Sequence, residues 1–197
     1  MTLPDPAQQR FHVFRRAWAA SALALLVATW KLWTPQTAFP QVPAIAELGK
    51  LPVVVDWVLF GGMLLALVSV LGSSSKSTLW QHGLVGLVIA AVFSMAIDQH
   101  RFQPWAYQFV VIAMVLATAT PVAAFKLLRW LTIGIYVWSA WSKCDVTFTR
   151  TLGQQFLNAL FGWANFESWP QLLRLALASL FPVAEFAVAF LLCFPRL

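Results

Sequence analysis

The sequence predicts an all-α protein: a polytopic bundle of about six transmembrane helices, with one amphipathic helix lying at the membrane interface. Three observations carry that reading. The chain has 197 residues, 60% hydrophobic and 10% charged, whereas a soluble domain carries about 25% charged residues. Its mean hydropathy is +0.75, and its apolar residues gather in runs close to the ~20 residues that cross a hydrocarbon core. Eleven tryptophans suit a protein with two membrane–water interfaces, where that side chain concentrates. At this length the spans form one bundle, so residues 1–197 are expected to be a single transmembrane domain.

The elements follow in order. The opening MTLPDPAQQR is polar, and no small-residue cleavage site follows, so the first apolar run is expected to stay as an anchor. That run, AWAASALALLVATWKLW, is the first span over residues 17–33, entered through Arg15 and Arg16, with Lys31 placed to snorkel toward the headgroups. TPQTAFPQVPAIAELGK has three prolines and no period, and reads as an exposed loop with one short helix near AIAELG. The second span covers residues 53–71 and closes at the polar turn GSSSKS; the third covers 79–97. DQHRFQPW breaks the chain, and Pro104 suits the first turn of a fourth span over 105–123. TPVAAFKLLR reads as the next turn, with Lys126 and Arg129 at the start of a short fifth span over 127–142. In TLGQQFLNALFGW, residues 151–163, Leu152, Phe156, Leu157, Leu160 and Phe161 recur at helical spacing. Such a stripe suits a helix in the interface plane, or equally one packed over the bundle. The sixth span covers 172–194, and the chain then stops at PRL, abruptly, as in a short member of a longer family or a truncated chain.

Thirteen basic residues against seven acidic ones give a net charge of +6. The basic residues stand singly between apolar runs, without the stripe or arm that nucleic acid would require, and read as topology signals and headgroup contacts. With six spans both termini share one side. Arg10, Arg15, Arg16, Lys76, Lys126, Arg129 and Arg196 fall there; Lys31, Lys50, Arg101, Lys143, Arg150 and Arg174 fall on the other. The cluster before the first span tips the balance toward cytoplasmic termini. The longer loops and most tryptophans then face outward, so a site is expected on that face. Cys144 and Cys193 lie at opposite ends of their spans and no C-x-x-C occurs, which disfavours a disulfide and a thiol-relay oxidoreductase. His12, His82 and His100 are separated by the topology, so no metal site is expected. No G-x-S-x-G, Walker loop or H-E-x-x-H is present.

Charges inside or at the ends of spans are expensive and mark function by default. Lys143 and Asp145 end the fifth span, Asp56 opens the second, and Glu185 lies well inside the sixth in FPVAEFAVAF, one turn after Pro182. Desolvation disfavours a charged amine, and a neutral amine can serve as a base; Lys143 is therefore a candidate catalytic residue with Asp145 as its electrostatic partner. The plainer alternative is a snorkelling lysine paired with Asp145 at a helix end. Glu185 either handles a proton or substrate, or hydrogen-bonds a serine, a threonine or His82 across the bundle. Asp98 and Arg101 share a turn with His100, either as part of a substrate site or as a solvated pair. Trp138 and Trp141 flank Lys143 and are candidates for apolar pocket walls.

The stretch IYVWSAWSKCDVTFTRTLGQQFL resembles the fifth membrane segment of the vitamin K-dependent γ-glutamyl carboxylase superfamily. That superfamily includes the bacterial HTTM (horizontally transferred transmembrane) proteins and is related to the DoxX/MauE-like group. The shared positions are Tyr136, Ser139, Ala140, Lys143, Asp145, Phe148 and Gly153, with Pro182 and Glu185 in the last span. In the carboxylases the matching lysine is the base that activates reduced vitamin K. The resemblance implies that Lys143 stands beside a quinone-like or other lipophilic molecule, in a bacterial inner-membrane protein. It covers the membrane half only. The lumenal β-rich domain and further spans that bind a glutamate substrate have no counterpart in these residues, so peptide carboxylation is not implied. The alternative is a non-enzymatic membrane subunit or scaffold packed against a partner protein.

Overall fold

A computed structural model describes residues 6–36, 39–74 and 77–194. Among these residues the chain is helical, with no strand. Five helices are long and apolar enough to cross a membrane, which is compatible with a multi-pass membrane protein. Lys76 and Arg196, both used in the charge count, lie outside the described residues, as does part of the GSSSKS turn. The sequence reading places no boundary inside residues 1–197; the contacts divide the chain into two compact units, Met1–Phe125 and Lys126–Leu197.

The first unit begins with α1 (Pro6–Ala28), which pauses at Thr29 and resumes as the single turn α2 (Trp30–Trp33). The pause has a local cause. The Thr29 hydroxyl donates to the Leu25 carbonyl at 2.7 Å and accepts from the Trp33 indole at 3.1 Å, the back-bonding that bends helices at threonine. α3 (Val54–Gly72) and α4 (Leu79–Ile97) match the second and third expected spans. They pack most closely of all; α1 lies against α3, and α5 (Pro104–Thr118) against α4. Gly83 permits the close approach: a Cβ there would sit 2.3 Å from Ser69 Oγ and 3.0 Å from the Ala66 carbonyl. Small residues perform this service between membrane helices, where backbone proximity replaces the hydrophobic drive. Ala19, Met63, Leu67, Leu84 and Leu116 fill the interior. The outward residues of α3 and α4 are also apolar, with Val58, Leu65, Val85 and Ile89 exposed. A helix apolar on every side belongs in a core or in lipid.

The fourth expected span is corrected. Its helix ends at Thr118, five residues before the expected Ala123, and α6 (Pro121–Lys143) starts at once. Pro121 disfavours helical geometry in the residue before it and suits the first helical position. The apolar run therefore divides at the proline, and α6 has 23 residues rather than the short 127–142. Lys126 and Arg129 sit inside this helix, not at its start. At 15 residues, α5 is about 22 Å long.

The loop after α2 is tied down. The Ala44 N–H donates to the Ala96 carbonyl at 2.8 Å, and the Gln99 N–H donates to the Val42 carbonyl at 2.9 Å. The Val42 N–H reaches Asp98 Oδ1 at 3.4 Å. The short helix expected near AIAELG is a 3₁₀ segment, Ala46–Lys50.

In the second unit, α6 is followed by α7 (Val146–Arg150), α8 (Leu152–Phe161) and α9 (Gln171–Leu192), with Pro182 inside α9. Two 3₁₀ turns, Gly162–Ala164 and Phe166–Ser168, join α8 to α9 through Asn165, the described non-glycine residue with positive φ, at 51°. Leu157, Phe166 and Ala178 form the core, with Phe161, Trp169, Leu177 and Phe181 packed around it. A Cβ on Gly153 would stand 3.0 Å from the Ala178 Cβ, so α8 approaches α9 closely there. Of the α8 stripe, Leu157 is buried and Phe161 half-buried, while Leu152, Phe156 and Leu160 remain exposed.

Candidate functional site

Two polar clusters are built into otherwise apolar helices, one in each unit. In the second unit Lys143, the last residue of α6, points its amine at two partners. Ser139 is one helical turn earlier, so its hydroxyl lies within reach of the amine at 2.7 Å. Glu185 on α9, 42 residues away in sequence, accepts from the same amine through Oε1 and forms an ion pair. The two side chains are 20% and 23% exposed. Glu185 Oε2 is buried and has no hydrogen-bond partner. A carboxylate with one oxygen held by an ammonium and the other left unpartnered can accept a hydrogen bond or a proton from a molecule that enters.

Three expectations are corrected. Asp145 is not the partner of Lys143; it is the N-cap of α7, accepting from the Thr147 N–H at 3.0 Å, with its side chain exposed. An aspartate in extended geometry just before a helix is drawn to the free N–H groups of the first turn. Trp138 and Trp141 are not walls of an enclosed site, being 72% and 68% exposed. The partner expected for Glu185 was a hydroxyl or His82; it is Lys143.

In the first unit Arg101 is fully buried, and its guanidinium donates from Nη1 to Asp56 Oδ1 at 2.6 Å. The same nitrogen reaches Ser94 Oγ at 2.9 Å, and Nε reaches the Leu32 carbonyl at 3.1 Å. Gln41 donates to the other Asp56 oxygen at 3.2 Å. The expected Asp98–Arg101 pair is therefore absent. Asp98 Oδ1 instead accepts from the His100 N–H at 3.1 Å, lies 2.8 Å from His100 Nδ1, and takes the Val42 N–H. Arg101 ties α2, α3 and α4 together, with its Nη2 buried and without a hydrogen-bond partner, and Asp98 holds the loop.

Between these helices lies an apolar cavity of about 40 Å³, lined by Leu26, Trp33, Met63, Leu87, Trp105 and Phe109 among others. That volume is far below that of a drug-sized ligand site. Among the described residues no three His, Cys, Asp or Glu side chains converge as a metal site would require, and Cys144 and Cys193 are free and exposed.

Sequence reasoning missed three participants. Ser94 carries no signal beyond lying two turns from Arg101, and Ser139, one turn from Lys143, entered only as a position of the family resemblance. Arg15 was read as a topology signal, yet it is 1% exposed. The sign of its burial was present: Phe11, Trp18, Ala19 and Ala22 share its helical face, and Arg16 does not. No protein-family model, curated protein or solved structure matches the chain.

Proposed function

We propose that the chain is a six-span protein of the bacterial inner membrane, similar to HTTM and DoxX-like proteins, that holds a quinone or another lipophilic molecule beside Lys143. α1 with α2 forms the first span, α3 to α6 the next four, and α9 the last; α5 crosses a locally thinned bilayer, and the termini are cytoplasmic. The observation that carries the reading is the Lys143–Glu185 pair, with Glu185 Oε2 buried and unpartnered. The pair divides the role first given to Lys143: Glu185 takes the proton, and Lys143 supplies the positive charge beside it, the electrostatic part first given to Asp145. A ligand hydroxyl that ionises gives its proton to the Glu185 carboxylate, and the resulting oxyanion lies beside the Lys143 ammonium. Charge is conserved, and no oxidation is part of the step.

Mass spectrometry of lipid extracts from the purified protein tests this. A lipophile that co-purifies with the wild type and is lost from Lys143→Ala supports the site. Its absence from both forms removes the proposal and favours the second reading, a non-enzymatic subunit that packs against a membrane protein. That second reading is favoured by α6, along which Val122, Trp130, Trp138 and Trp141 are all exposed.

A further inference from the structure

We infer that Arg15 is the centre of a binding site for a phosphate group, located at the end of the first unit where α1, α4, α5 and α6 come together. The site is separate from Lys143 and does not depend on the reading given to it.

Arg15 carries a charge with no counter-charge among the described residues. A guanidinium stays protonated in proteins, and burying it unpaired is costly. Arg101 meets that cost with Asp56. Arg15 is just as deeply buried, at 1% exposure, and has no carboxylate partner among the described residues. What holds it is neutral. Nη2 lies 2.9 Å from His12 Nδ1 and 3.4 Å from the Ser73 carbonyl, and the guanidinium stands 4.4 Å from the Trp80 ring centroid. Nε is buried with no partner. Stacking on an indole fixes the guanidinium plane and leaves its edge free to donate.

Arg15 opens on a cavity of about 300 Å³, together with His12 and Trp80, the two side chains that hold its guanidinium. Gln81, Thr118 and Thr120 add hydrogen-bonding groups to the same lining. So does the N-terminus of α6: Thr120 and Pro121 line the cavity, and the Thr120 carbonyl takes the first helical bond, from Ala124, at 2.8 Å. The N-terminus of a helix of 23 residues presents free N–H groups and about half a positive charge. A buried arginine without a carboxylate partner among the described residues and the start of a long helix thus line one polar hollow. A tetrahedral oxyanion supplies the missing negative charge and several acceptor oxygens at once. Among the described carboxylates of this unit, Asp56 and Asp98 are engaged elsewhere, and Glu47 is exposed on the 3₁₀ segment. The phosphate has two possible sources, an anionic phospholipid headgroup at the membrane surface or free inorganic phosphate.

The test uses the full chain in mild detergent, with two probes. Phosphatidylglycerol retention is read by native mass spectrometry, and inorganic phosphate binding by isothermal titration. Two variants accompany the wild type: Arg15→Gln, and Gln81→Glu, which sets a carboxylate in the cavity and leaves Arg15 packed. The expected result is that one probe binds the wild type and that both variants bind it at least tenfold more weakly. Retained phosphatidylglycerol without phosphate binding assigns the headgroup; the reverse assigns the free anion. If Arg15→Gln does not fold, Gln81→Glu alone decides. Failure of the wild type to bind either probe, or binding unchanged in Gln81→Glu, overturns the inference.

Discussion

Removing the Asp56 carboxylate strands a charge. In Asp56→Ala the Arg101 guanidinium stays fully buried and loses its bond of 2.6 Å, and Gln41 loses its acceptor. Deleting one partner of a buried pair costs about 3–5 kcal/mol, because the other charge is left uncompensated. Here the Leu32 carbonyl, at 3.1 Å, and Ser94 Oγ, at 2.9 Å, still receive the guanidinium. Those dipoles offset part of the loss and place the expected cost near the lower end, about 3 kcal/mol. The double variant Asp56→Ala/Arg101→Met removes the stranded charge as well, and should recover about 1–2 kcal/mol of that cost even though it loses the remaining bonds. Unfolding by SDS in mixed micelles, followed by tryptophan fluorescence, gives both values. A single variant within about 0.5 kcal/mol of wild type, or a double variant less stable than Asp56→Ala, refutes the reasoning that the pair is a mutual necessity.

Other outcomes follow from close contacts and the core. Gly83→Ala should destabilise by about 1–3 kcal/mol, since the new methyl group meets Ser69 Oγ and the Ala66 carbonyl, whereas Gly86→Ala on the same helix has nothing within 4 Å and should be neutral or slightly stabilising; the same SDS titration separates them. Phe166→Ala empties the centre of the second unit's core, where Phe166 is 1% exposed, and should cost about 3–5 kcal/mol, read as faster hydrogen exchange in α8 and α9. Glu185→Ala leaves Lys143 with Ser139 alone and should cost about 1–3 kcal/mol; the exchanged variant Lys143→Glu/Glu185→Lys should regain more than half of it by the same SDS titration, and no recovery would show that the pair is not what joins α6 to α9.

Long uniform runs were the most legible part of the fold. α4 spans the residues that hydropathy marks, and α3 is displaced by one, because each run is bounded by polar turns. The boundary at Pro121 was hidden, since a hydropathy average treats proline as one more weakly polar residue while its missing N–H and fixed φ decide where a helix can start. The charged residues worth attention were visible too, since any charge within a span stands out. Their partners were not. Proximity in sequence pointed Arg101 to Asp98 and Lys143 to Asp145, but a short aspartate next to a helix start finds backbone N–H groups before it finds a neighbouring cation. The true pairs join residues 45 and 42 positions apart, and only packing of the helices brings them together. Arg15 differs from Arg16 by one step, 100° around a helix, and that rotation alone separates a buried cation from an exposed one.

The three-proline loop carries a consequence for the order in which the chain is made. Its hydrogen bonds run from residues 42–44 to residues 96–99, so its partners at the end of α4 and just beyond do not exist when the loop leaves the ribosome. Between the two lie α3 and α4, both of which must be synthesised and paired first. The loop is then the last stitch of its unit, and a ribosome stalled before Ile97 would display those prolines loose and open to proteases.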